Sequence, residues 1–213
     1  MKTEAYLALG LLLFPTPAPA ETAQNVLKEL QATYETIETI EGRFHQTYRS
    51  ARFEPRTAEG KLWIQKPGKM RWDYSVPKGR VLLSDGKELT LYDPADEQAL
   101  VSPIPENEGL PLPLSFLWGK EKIEDVFTVT VEKEGKSKDE IRLRCIPRKP
   151  IPNVVEVELT LKRGKQMLVL ASRVKDALGG ENELRFSGLR TNSQIPAKRF
   201  QFKPPAGTKR VPL

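Results

Sequence analysis

Apolar side chains recur along this chain at two different periods. Over residues 21–40, Ala23, Val26, Leu27, Leu30, Tyr34, Ile37 and Ile40 fall at the three- and four-residue spacings of one helical face. Glu21 lies in the first turn, and Gly42 lies two residues past the end, where a helix commonly stops. The period then drops to two. Phe44, Gln46 and Tyr48 share one face, with Arg43, His45, Thr47 and Arg49 on the other. A polar stretch over 50–57 reads as a loop, and a strand runs from about Gly60 to Lys66. After the turn at Pro67-Gly68, Met70, Trp72, Tyr74 and Val76 alternate with Arg71, Asp73 and Ser75. Pro77-Lys78-Gly79 turns the chain again. The runs Val81-Leu82-Leu83, Leu89 to Tyr92 and Ala99-Leu100-Val101 follow, separated by Ser84-Asp85-Gly86 and Asp93-Pro94.

The segment 103–125 breaks this rhythm. Pro103, Pro105, Pro111 and Pro113 forbid a continuous strand. Pro113 suits the first turn of a short helix carrying Leu114, Phe116, Leu117 and Trp118, ended by Gly119. So much apolar surface on a short insertion reads either as a connector packed on the core or as a movable cover. Strands then resume at 126–131, at Ile141-Leu143-Cys145, at Val155-Val157-Leu159-Leu161, at 167–174 and at 182–189. Phe200 and Phe202 are expected to close the fold as a short edge strand. The total is about eleven strands, one long helix and one short inserted helix. Connections of two to six residues favour antiparallel pairing of consecutive strands. One sheet of that size must curl and either close or leave a mouth. A helix over 23–40 would span about 30 Å and could lie across such a mouth.

The first twenty residues are expected to be a cleaved signal peptide: Lys2, the apolar run Ala5 to Phe14, then Ala18-Pro19-Ala20. Residues 21–213 are read as one domain, exported and soluble. No Cys follows the expected cleavage site, which excludes a lipid-anchored N-terminus there. Cys145 is the only cysteine, so it cannot form an intramolecular disulfide, and its alternation marks a buried small hydrophobe. The net charge of +6 is spread along the chain. It fits either an ordinary solvated surface or attraction to an anionic membrane or acidic partner. No basic run interleaved with aromatics supports nucleic-acid binding.

Chemistry of the enzymatic kind is not visible. A single histidine, His45, sits on the solvent side of its strand, and no nucleophile motif or phosphate loop accompanies it. One His and one Cys a hundred residues apart make no metal cluster, so no metal and no cofactor is expected. Asp85 and Asp93 stand in turns, where bonding to the backbone explains them.

The ordered motifs carry a resemblance. They are Phe44-x-Gln46, Gly60-x-Leu62-Trp63, and Pro67-Gly68-x-x-Arg71-Trp72-x-Tyr74-x-x-Pro77. Ser84-Asp85-Gly86, Tyr92-Asp93-Pro94 and Gln98 follow, then Pro113-x-x-x-Leu117-x-Gly119 and Phe200-x-Phe202-x-Pro204-Pro205-x-Gly207. Together they resemble the periplasmic outer-membrane lipoprotein carriers (LolA-like) across nearly the whole chain after residue 20. The resemblance implies an incomplete antiparallel β-barrel, mainly β, covered by helices, holding lipoprotein acyl chains in an apolar concavity. It implies a monomer that takes cargo from an inner-membrane ABC-type lipoprotein-releasing complex and passes it to an outer-membrane lipoprotein acceptor. Trp63, Met70, Trp72, Tyr74, Leu83 and Leu91 become candidates for the cavity wall. Leu27, Leu30, Tyr34, Leu114, Phe116 and Leu117, in lid segments 21–41 and 103–125, become candidates for the cover. Lys66 stands where some members of the family carry an Arg that holds the lid shut, and is the candidate latch; Lys offers a point charge without the planar fork. A carrier of another lipid or glycolipid, and a periplasmic lipid- or lipoprotein-sensing module, are the alternatives.

Overall fold

The computed structural model describes residues 22–104, 122–132 and 139–212. The expected signal peptide and the helix expected around Leu114, Phe116 and Leu117 lie outside these residues.

Helix α1 spans Ala23–Glu35, and the Thr22 hydroxyl accepts a hydrogen bond from the Asn25 N–H at 3.3 Å at its start. It is shorter than the apolar spacing predicts. Ile37 and Ile40 are buried as expected, but Ile40 already belongs to β1 (Thr39–Ser50). The helix yields because Ile40 can pair on both sides, with Ile64 and Thr191, and because the Asn192 side chain accepts from the Glu38 N–H at 2.8 Å. Gly42 is therefore not a helix stop. It lies inside β1, where a Cβ would meet the Leu189 side chain at 2.8 Å. The same place carries a bulge: Glu41 to Arg43 oppose Arg190 to Ser187, and Gly188 takes φ +60°.

Five hairpins follow from β1: β2 (Phe53–Gln65), β3 (Lys69–Val76), β4 (Val81–Asp85), β5 (Glu88–Asp93) and β6 (Gln98–Pro103). β2 begins inside the stretch expected to be a loop. Its first residues are polar and exposed, yet they pair with β1 from Phe53 onward. The one-turn helix α2 (Ile123–Val126) leads into β7 (Phe127–Glu132), β8 (Glu140–Pro147), β9 (Glu156–Lys162), β10 (Leu168–Lys175) and β11 (Glu181–Thr191). Phe200 ends a short 3-10 turn, Ala197–Phe200, rather than forming an edge strand. The last strand is instead β12 (Lys209–Pro212), which pairs parallel with β6.

The result is mainly β: one large curved, unclosed sheet in the order β12-β6-β5-β4-β3-β2-β1-β11-β10-β9-β8-β7. β1 and β11 join the two meanders at the centre. One face, which α1 covers, holds the main core. It gathers Val26, Leu30, Leu62, Trp72, Leu143, Leu159, Leu161 and Val169. The other face carries charge. Arg144 opposes Glu158, Glu158 opposes Arg173 and Arg173 opposes Glu183, a ladder of alternating sign across four strands.

Candidate functional site

The helix-covered face is the candidate site. Val26, Leu27, Leu30 and Tyr34 on α1 are all buried. Beneath them β3 contributes Met70 and Trp72, β2 contributes Leu62 and Ile64, and β1 contributes Phe44. The far half of the sheet adds Leu143, Leu159, Leu161 and Val169. Phe44 forms the hub of an aromatic group, 4.7 Å from the Trp72 ring centroid and 4.9 Å from that of Tyr74. This arrangement depends on Gly60, which pairs with both Phe44 and Tyr74. A Cβ there would lie 2.9 Å from the Phe44 ring and 2.1 Å from the Asp73 carbonyl oxygen. The Trp72 indole N–H is buried on this face with no hydrogen-bond partner among the described residues.

Polar ties hold α1 in place. Lys66 Nζ donates to the main-chain carbonyl of Tyr34. The Val169 N–H donates to the Tyr34 hydroxyl at 3.2 Å, at a bulge where β10 shifts register against β9. Arg163 Nη2 meets Glu29 Oε2 at 2.8 Å. Burial pushes the Tyr34 hydroxyl up to about 12, with the Val169 N–H pulling the other way. Burial also pulls the Lys66 ammonium below its ordinary value, partly opposed by the Glu35 carboxylate.

Met70, Trp72 and Tyr74 share this face. Leu91 does too, since it opposes Leu82, which in turn opposes Trp72. Leu27, Leu30 and Tyr34 face them from the helix. Trp63 and Leu83 do not belong to this wall. Trp63 alternates with Leu62 and Ile64, so it points to the opposite face, where the Arg199 guanidinium lies 4.1 Å above its ring. Leu83 joins Val81, Tyr92 and Ala99 in a second cluster closed by Phe202. Both faces are apolar in Leu82-Leu83, so alternation alone could not assign them. Val76, expected on the wall, ends β3 exposed. The wall residues of β8 to β10 were visible as alternating strands, but nothing local tied them to the candidate site across the chain.

The opposite face around Trp63 forms an open groove of about 600 Å³, lined by Arg43, Lys61, Asp73 and Arg199. Phe44, Trp63 and Tyr74 share that lining with the charged side chains. There Arg71 Nη1 donates to the carbonyls of Arg199 at 3.1 Å and Gln201 at 2.9 Å, while its Nε meets Asp73 at 2.6 Å. These bonds strap the C-terminal segment to β3. His45 is exposed, with Glu59 at 3.8 Å. Cys145 is buried, its thiol pushed up to about 12 by burial and by the Glu156 carboxylate. Asp85 and Asp93 serve turns, accepting from the Lys87 and Ala95 N–H groups at 2.8 and 3.1 Å. No group of three metal-ligating side chains occurs among the described residues.

An open, curved, largely antiparallel sheet with a helix seated on its apolar face places the molecule among the helix-covered, incomplete β-barrels. The chain belongs to the outer membrane lipoprotein carrier protein LolA family, whose profile matches residues 35–203. It is 29% identical over 210 residues to an outer-membrane lipoprotein carrier protein of Chromobacterium violaceum, covering 97% of this chain and 94% of that one. It is 30% identical over 203 residues to the protein of that name from Alkalilimnicola ehrlichii, covering 94% and 90%. Among solved structures, an uncharacterized conserved protein of Thermus thermophilus shares the fold at 11% identity and TM-score 0.58, covering 90% of this chain and 99% of that one. MucB shares it at 16% identity and TM-score 0.51, covering 85% of this chain and 62% of that one.

Proposed function

We propose that the protein is a periplasmic carrier that takes the acyl chains of lipoproteins onto the face now covered by α1. On this reading it collects cargo from an inner-membrane ABC-type releasing complex and delivers it to an outer-membrane acceptor. Residues 1–20 would direct export, residues 21–213 would be one carrier domain, and the segment 103–125 would share the covering role with α1. No enzymatic step and no cofactor enters the reading. Family membership and the carrier names of its relatives support it. The observation that carries it is α1 itself, whose Val26, Leu27, Leu30 and Tyr34 are all buried against the apolar face of the sheet.

The magnitudes favour exchange. Burying each of Val26, Leu27, Leu30 and Tyr34 stabilises the covered state by about 2 kcal/mol, roughly 8 in all. At about 0.8 kcal/mol per methylene, roughly ten methylenes offset that. A single long acyl chain exceeds it. A lipoprotein therefore displaces the helix, whereas water does not. The competing helix also weakens net binding, which a carrier needs in order to release.

The test uses the protein with inner-membrane vesicles that contain an acylated lipoprotein and its releasing complex. Addition of ATP should bring the lipoprotein into the soluble fraction in complex with the carrier, and an unacylated version should not bind. If acylated and unacylated forms behave alike, or no complex forms, the reading fails. Mass spectrometry of co-purified material separates lipoprotein cargo from another lipid. Leu30→Glu should change uptake while the far-UV spectrum of the sheet persists.

A further inference from the structure

Among the described residues, three buried side-chain polar atoms have no hydrogen-bond partner: Trp72 Nε1, Ser172 Oγ and Arg173 Nε. The Arg173 side chain belongs to the charged face, where its other nitrogens meet Glu158 and Glu183 at 3.5 and 3.7 Å. Trp72 and Ser172 are different. Each is 2% exposed, and both lie on the face that α1 covers. Trp72 opposes Leu62 on one side and Leu82 on the other, while Ser172 opposes Leu159 and Leu184. All four of these leucines belong to the main core or pack against it. The ring centroids of Trp72 and Phe186 lie 6.1 Å apart, and Phe186 follows Leu184 on the same face of β11. The two unpaired groups therefore border one continuous apolar surface, Trp72 from the β3 side and Ser172 from the β10 side.

Packing asks for neither polar atom. An Ala would fill the space of Ser172, and a Phe most of the space of Trp72. A trapped water is a poor partner for the indole N–H, because a buried water needs two or more polar neighbours. The side chains around Trp72 include Phe44, Phe186, Leu62 and Leu82, which offer none. Other polar side chains on this face are engaged. The Tyr34 hydroxyl accepts from the Val169 N–H, and Gln46 Nε2 donates to Asn182 Oδ1 at 2.9 Å. An unpaired donor in an apolar site destabilises the protein that carries it. Two such donors on the face that would receive cargo point to an acceptor that arrives with the cargo.

We propose that Trp72 and Ser172 hydrogen-bond the carbonyl oxygens through which the acyl chains of the cargo are joined to it. The inference rests on the carrier reading and narrows it. An acyl chain is not hydrocarbon alone. It ends in an ester or amide carbonyl, an acceptor that leaves water when the chain does and costs free energy if left unpaired. An indole N–H only donates, and a serine hydroxyl can donate, so each complements such an oxygen. While α1 covers the face, both donors go without a partner. Once α1 gives way to cargo, donor and acceptor satisfy one another. The face thereby selects acyl esters over alkyl chains of the same length.

The test offers the native protein two lipopeptides of identical peptide sequence. One carries two hexadecanoyl chains in ester linkage to a glycerol group, the other two hexadecyl chains in ether linkage. Binding is measured by partition between the protein and detergent micelles, each probe corrected for its own partition into micelles alone. The ester form should bind about tenfold more tightly. Ser172→Ala should cut that preference several-fold, and should raise the melting temperature of the unloaded protein because a buried unpaired hydroxyl is gone. In NMR spectra the Trp72 indole N–H signal, identified by its loss in Trp72→Phe, should move downfield with the ester form and not with the ether form. Equal binding of the two forms by the native protein would overturn the proposal and leave the carrier reading intact. So would a preference unchanged in Ser172→Ala, or an indole signal that moves alike with both forms. Binding of neither form would remove the carrier reading and this proposal with it.

Discussion

Lys66 Nζ donates to the main-chain carbonyl of Tyr34, joining the end of β2 to the last turn of α1. The bond satisfies a carbonyl near the helix end and puts a positive charge by the negative end of the helix dipole. Lys66→Met should therefore loosen α1 without altering the sheet. The expected loss is about 1 kcal/mol, since the ammonium is half-exposed and solvent screens it. Hydrogen exchange is the sharper readout: the amides of α1 should exchange several-fold faster while those of β3 hold. Equal protection of α1 in the variant would remove Lys66 as a latch.

Tyr34 anchors the same turn from its other side. Its hydroxyl takes the Val169 N–H at a bulge in β10. Tyr34→Phe should cost about 1–3 kcal/mol by denaturant unfolding, because a buried donor loses that acceptor. Folding raises this hydroxyl from its ordinary 10 to about 12, so its contribution is complete below pH 10 and disappears as the pH rises through 12. The stability gap between the native protein and Tyr34→Phe should shrink over that window.

Cys145 follows the same sign. Burial raises its thiol from an ordinary 9 to about 12, so folding suppresses the reactive thiolate. Alkylation near pH 8 should proceed only as fast as the protein opens. A rate matching an exposed thiol in the folded protein would contradict its place between β7 and β9.

Arg71 is predicted to hold the C-terminal segment rather than the face that α1 covers. Arg71→Ala breaks its bonds to Arg199 and Gln201 and leaves Asp73 without its partner. A loss of about 2 kcal/mol is expected for these charge-assisted bonds. Early proteolysis should appear near Lys203. Lipid uptake should remain, because these contacts lie on the face opposite α1.

Gly60→Ala tests the aromatic hub. The added Cβ would fall 2.1 Å from the Asp73 carbonyl oxygen and against the Phe44 ring, where neither backbone nor ring has room. Destabilisation of about 3 kcal/mol is expected from such overpacking. Near-UV circular dichroism should report the displaced Phe44, Trp72 and Tyr74 rings.

Local pattern alone determined much of this protein. The spacing of Val26, Leu27, Leu30 and Tyr34 defines the helix and its buried stripe. The alternation of Met70, Trp72 and Tyr74, with turns at Pro67-Gly68, Ser84-Asp85-Gly86 and Asp93-Pro94, sets the hairpins in order. These features are legible because a helix or hairpin brings residues near in sequence onto one face or one turn. What lay beyond local reach was decided by distant partners. α1 ends at Glu35 because Ile40 finds strand neighbours on both sides. The tail adds β12 parallel to β6 because that edge was free to pair. Above all, alternation says that Trp63 and Leu62 point to opposite faces, as do Leu83 and Leu82, but not which of each pair faces the helix. That choice belongs to whichever element covers each side: α1 over Trp72 and Leu62, and the C-terminal strap with Arg199 and Phe202 over Trp63 and Leu83.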